Sequence, residues 1–141
     1  AENVVFREGE FGLTCEMAID YTIDPEANLI RVNQVGSFSI AEMIRHSLRV
    51  NEDPAFVPGM NTLTDLRKAS LMDEVAAIRK YVDHSAELAE IRGACKWACL
   101  VADESALNLI WSFDLVMRER GIPIRTKAFL DEAEALAWLA E

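Results

Sequence analysis

The sequence predicts an α/β domain with a four- to five-stranded mixed sheet and helices packed against it. Three observations carry this expectation. Alternating polarity followed by a turn cluster marks a hairpin near the N-terminus. After it, segments of helical and strand period succeed one another to the end of the chain. Residues 95–102 form a nearly continuous apolar run, broken only by Lys96, as a central strand covered on both faces requires. A hairpin followed by alternating units implies a mostly parallel sheet.

Residues 1–16 contain Gly9 and Gly12, show no clear period, and read as an N-terminal extension or an extra edge strand. The remainder, 17–141, reads as a single domain. Met17, Ile19, Tyr21 and Ile23 alternate with Ala18, Asp20 and Thr22, which is strand period. Asp24-Pro25-Glu26-Ala27-Asn28 is a turn cluster, and residues 29–35 give the returning strand. Gly36-Ser37-Phe38 reads as a break. Ser39 with Glu42 is a capping-box signature that opens the first helix. Ile40, Met43, Ile44, Ser47 and Leu48 share one face of that helix, with Glu42, Arg45, His46 and Arg49 opposite. Pro54 and Pro58-Gly59 mark the next loop, and residues 61–66 the third strand. A second helix over 71–92 buries Val75, Ile78, Val82, Ala86 and Ala89 and stops at Gly93. The apolar run is the fourth strand. A third helix covers 104–120 and ends at Gly121; residues 122–129 are the last strand. From Asp131 a fourth helix presents Ala135, Leu136, Trp138 and Leu139 as its apolar side.

A chain of 141 residues buries roughly two-thirds of its unfolded surface, enough for one core without metals or disulfides. The formal net charge of −10 repels nucleic acid and anionic membranes. No apolar run approaches the roughly 20 residues of a membrane span, and the start lacks a signal-peptide layout. Three cysteines without framework spacing fit a reducing compartment, so a cytoplasmic location is expected.

Little in the sequence points to catalysis. Cys95 and Cys99 lie on one face of a strand at roughly 13 Å, too far apart for a disulfide or for one zinc. They read as small buried hydrophobes, and Cys15 has no basic neighbour to activate it. His46 and His84 both read as solvated surface residues. The pairs Asp73-Glu74, Asp103-Glu104 and Asp131-Glu132 stand at helix starts, where the macrodipole favours carboxylates. Negative charge at those ends discourages phosphate, so no nucleotide or other cofactor is expected.

Two surfaces are candidate contact sites. On the third helix, Leu107, Trp111 and Leu115 form a second apolar stripe beside Ala106, Leu109, Ile110, Phe113, Val116 and Met117. A helix on a sheet needs only the broader one, so the second packs on a neighbouring helix or forms a homodimer contact. The loop over 53–60 is unusually apolar. Phe56 and Met60 either plug the core or form a lid over a ligand cleft walled by Tyr21 and Phe38.

Several strings, in this order, resemble the STAS domain superfamily and within it the SpoIIAA-like family of anti-sigma-factor antagonists. They are the hairpin leading through Gly36 to a capped helix, Thr64-Asp65-Leu66-Arg67, the segment Lys96-Trp97-Ala98-Cys99-Leu100-Val101-Ala102, and the tail from Ala128 to Leu139. The resemblance covers residues 17–141. It implies a non-enzymatic regulatory module that binds a small apolar ligand or a regulatory protein. Antagonists of this family are switched by phosphorylation of a Ser or Thr that follows an Asp at the start of the helix after the third strand. Here Asp73 is followed by Glu74, a permanent charge in place of the phosphoacceptor, and Ser70 is the nearby hydroxyl. The expected function is therefore a STAS-like binding module without that switch. A homodimeric interaction module acting through the third helix is the alternative, and a small hydrolase is the third reading.

Overall fold

The computed structural model describes residues 2–7, 16–71 and 75–141. Among them the chain forms β1 (Glu2–Arg7), β2 (Glu16–Asp24), β3 (Leu29–Phe38), α1 (Ile40–Glu52) and β4 (Asn61–Leu71). There follow α2 (Val75–Arg92), β5 (Cys95–Leu100), α3 (Glu104–Glu119), β6 (Ile124–Phe129) and α4 (Glu132–Leu139). The six strands make one sheet whose spatial order is the order of the chain. β1–β2 and β2–β3 pair antiparallel, and β3–β4, β4–β5 and β5–β6 pair parallel. The mixed α/β architecture is the expected one. The sheet is wider than four to five strands because Glu2–Arg7 lies along β2 as an edge strand.

Local chemistry sets most boundaries. The Asp24 carboxylate accepts the N–H groups of Glu26 and Ala27, and Asn28 takes φ 54°, closing the hairpin. Ser39 and Glu42 form the full reciprocal capping box on α1. Asp103 and Asp131 cap α3 and α4 by accepting from Ala106 and Glu134, so both carboxylates are structural. Gly93 and Gly121 stop α2 and α3 at φ 70° and 68°, where a side chain would be strained.

Two boundaries differ from expectation. Gly36-Ser37-Phe38 does not break the chain but continues β3, and β4 runs on past Leu66 through the residues left between strand and helix to Leu71, the first residue expected in the second helix. The two extensions pair with each other, Ser37 opposite Ser70 and Phe38 opposite Leu71, beyond an irregularity at Asn33/Val35. The Arg67 N–H and guanidinium both donate to Asp65 there.

Because the parallel strands advance in one direction, their right-handed crossovers place α1, α2 and α3 on one face of the sheet. That face holds two apolar clusters, one around Ile19, Tyr21, Ile30, Phe38 and Met60, the other around Val82, Trp97, Phe113 and Ile124. The opposite face carries α4, whose Ala135 and Leu139 pack on Leu29, Leu63, Ala98, Leu100 and Phe129.

The helices sit rotated from the faces read by apolarity alone. α1 buries His46, Ser47 and Val50 and leaves Leu48 exposed. α2 buries His84, Ser85, Leu88 and Arg92 along with Val82. Neither histidine is solvated as expected. α2 packs against both α1 and α3, so its buried surface is wider than one stripe, and His84 is tilted against Tyr81 within it. His46 meets the ring of Tyr21 edge-on.

Candidate functional site

A cavity of about 140 Å³ lies between the sheet and the three helices of its first face. Its floor is laid by strand register. Ile30, Thr62, Trp97 and Thr126 form one row across β3 to β6, and Val32, Thr64 and Cys99 form the next. Its walls are Ile40, Met43, His46, Ser47 and Val50 of α1, Ile78, Tyr81 and Arg92 of α2, and Leu109, Ile110 and Phe113 of α3. Leu109 is both a wall residue and exposed, which places the mouth at α3.

The lining is mainly apolar, with a small set of polar groups that the fold leaves incompletely satisfied. Both ring nitrogens of His46 and the Thr126 hydroxyl are buried without a hydrogen-bond partner among the described residues. Burial, aided by the charges of Arg92 and Arg49, lowers the His46 pKa from 6.5 to about 4, so the imidazole is neutral near pH 7. Arg92 is only 4% exposed; its Nε donates to Asn51 and its Nη1 to Thr62 Oγ1 at 3.3 Å. Its backbone carbonyl accepts the Gly59 N–H, which ties the end of α2 to the loop before β4.

The cysteines of β5 are unsuited to nucleophilic work. Burial pushes Cys95 up to about 11 and Cys99 up to about 12. Among the described residues no three His, Cys, Asp or Glu side chains are grouped to hold a metal ion, and no helix is long and apolar enough to cross a membrane.

No family model matches this sequence, and neither does any curated protein. Solved structures do resemble it. One is an uncharacterized protein of the DUF3478 family, with a SpoIIAA-like fold, from Shewanella loihica PV-4. It superposes with a TM-score of 0.60 over 93% of this chain and 99% of that one, at 15% sequence identity. The fold is SpoIIAA-like.

On this SpoIIAA-like frame the residues singled out from sequence fall in three places. Tyr21, Phe38 and Met60 are buried in the first apolar cluster, and Phe56 packs partly buried against it. None of the four lines the cavity; they support α1 from the side. Tyr21 also donates to Asp53 at 2.8 Å, and Phe56 lies under the Arg92 guanidinium. On α3, Trp111 is 67% and Leu115 43% exposed, while Leu107 is half-buried. Ser70 is exposed on β4 and shares a 3.0 Å hydrogen bond with Ser37. Asp73, Glu74 and Cys15 lie outside the described residues.

Sequence reasoning did not single out His46, Arg92, Thr62 or Thr126 as a group. One signal was present. Val82, Ser85, Ala89 and Arg92 follow helical spacing, so a cation stands on the buried stripe of α2.

Proposed function

We propose that this SpoIIAA-like domain is a non-enzymatic binding module that takes a small ligand with an apolar body into the cavity between its sheet and α1–α3. The observation that carries this reading is the cavity itself, mainly apolar yet containing buried polar atoms with no partner among the described residues. Recognition pockets combine an apolar lining with a few placed polar groups in this way. The inert thiols and the capping roles of Asp103 and Asp131 favour binding over catalysis. With Glu74 in place of a phosphoacceptor, occupancy by the ligand is the signal in this reading.

Toluene, which has no polar group, tests access to the cavity. Titration into labelled wild-type protein is expected to shift the resonances of Thr64, Cys99 and Phe113. Thr64→Phe, which fills the floor, is expected to abolish those shifts. Wild-type spectra unmoved by saturating toluene would overturn the reading.

A second reading, homodimerisation through α3, is favoured by one observation. Trp111 and Leu115, with Leu109 and Val116 beside them, leave a large apolar surface uncovered on that helix.

A further inference from the structure

Among the described residues Arg92 is a buried cation without a counter-ion. Its two side-chain hydrogen bonds go to neutral groups, Asn51 and Thr62, and Phe56 offers its ring face 5.2 Å away. No carboxylate pairs with it among the described residues, and Nη2 has no partner there. Other arginines of the chain are matched: Arg31 with Glu132, Arg67 with Asp65, Arg118 with Asp114, Arg120 with Asp83. Those guanidinium groups are about half exposed and need a partner least. The one guanidinium that most needs an opposite charge faces a cavity instead. Guanidinium does not deprotonate in proteins, so the charge persists.

We propose that the cavity takes a small monocarboxylate whose apolar body is about the size of a benzene ring, with its carboxylate on Arg92. This rests on the ligand-binding reading above and names the ligand's class. With Nε and Nη1 already donating, Nη2 is left to give a carboxylate oxygen a charge-assisted hydrogen bond. His46, neutral and with both nitrogens unpartnered among the described residues, supplies a further donor from the α1 wall of the same cavity. The volume fits the body, since an apolar cavity of about 150 Å³ holds benzene. A single cation in a chain of net charge −10 matches one negative charge and not the two of a phosphate monoester.

Benzoate and its neutral isostere benzamide separate charge from shape. At pH 7, nuclear magnetic resonance titration of the wild type is expected to give benzoate about tenfold tighter binding or more. Arg92→Gln is expected to bring benzoate to the level of benzamide and leave benzamide unchanged. Sodium sulfate is expected to displace benzoate no better than chloride at equal ionic strength. Equal wild-type affinities for the two probes, a benzoate preference that survives in folded Arg92→Gln, or displacement by sulfate would each overturn the proposal. The wild-type comparison stands even if Arg92→Gln fails to fold. Toluene binding alongside equal affinities would leave the cavity reading intact and remove only the carboxylate.

Discussion

Asp114, in the middle of α3, accepts the backbone N–H of Thr126 on β6 at 2.7 Å. The carboxylate is 6% exposed and also receives Arg118 at 2.9 Å. One side chain thus fixes the distance between α3 and the strand that carries the cavity hydroxyl. Asp114→Ala leaves a buried N–H without an acceptor and is expected to lower stability by about 2 kcal/mol. Asp114→Asn keeps an acceptor oxygen and is expected to lose about half as much. Urea denaturation of the three proteins measures both; equal stability of wild type and Asp114→Ala would mean the contact holds nothing.

Stability should fall in mild acid because His46 is buried neutral. Above pH 6.5 the imidazole is neutral in both states and contributes no slope. Between 6.5 and about 4 the unfolded chain takes up a proton that the folded one refuses, so unfolding becomes easier as pH drops. The full effect is about 3 kcal/mol. Carboxylates add their own acid dependence, so the measurement is the difference between wild type and His46→Gln at pH 7.5 and 4.5. The variant is expected to lose less stability over that interval; parallel losses would show that His46 titrates normally.

The β5 thiols should resist modification while the protein is folded. In a Cys15→Ser background at pH 8, Ellman's reagent is expected to find almost no reactive thiol until denaturant is added. Rapid reaction under native conditions would contradict the burial and raised pKa of Cys95 and Cys99.

If α3 is an interface, sedimentation of wild type should show a weak to moderate dimer that Trp111→Glu converts to a folded monomer. Burying one Trp and two Leu contributes about 1.5–3 kcal/mol per side chain before the cost of association. A wild type that stays monomeric at millimolar concentration removes this reading and leaves the cavity unaffected.

Incubation with an anti-sigma kinase and ATP is expected to leave the intact mass unchanged. Ser70 is exposed but lies within a strand, hydrogen-bonded to Ser37. Stoichiometric phosphate on Ser70 would restore a phosphorylation switch at a different position.

What the sequence disclosed, and what it hid, follows from range. The hairpin, the box at Ser39 and Glu42, and the stops at Gly93 and Gly121 are written in neighbouring residues, and the structure repeats them. The extension of β4 was hidden because Arg67-Lys68-Ala69-Ser70 has no strand-like apolar rhythm; partnership with the end of β3 makes it a strand. The cavity was hidden for a related reason. Apolar periodicity locates helix faces by their hydrophobes, so it passes over His46 and Arg92, polar residues at buried positions. Their meeting requires α1, α2 and four strands to converge, which no local spacing records.

Since each strand lies beside its immediate predecessor in the chain, the sheet can be laid down in the order of synthesis, with no strand inserted between two already paired. Each β-α unit emerging from the ribosome meets the edge formed by its predecessor and joins it through a helical crossover. The second face is the exception. Ala98, Leu100 and Phe129 wait for Ala135 and Leu139, which follow every strand of the sheet in the chain. A chain without α4 would therefore display a hydrophobic sheet face, the kind of surface through which incompletely folded chains aggregate.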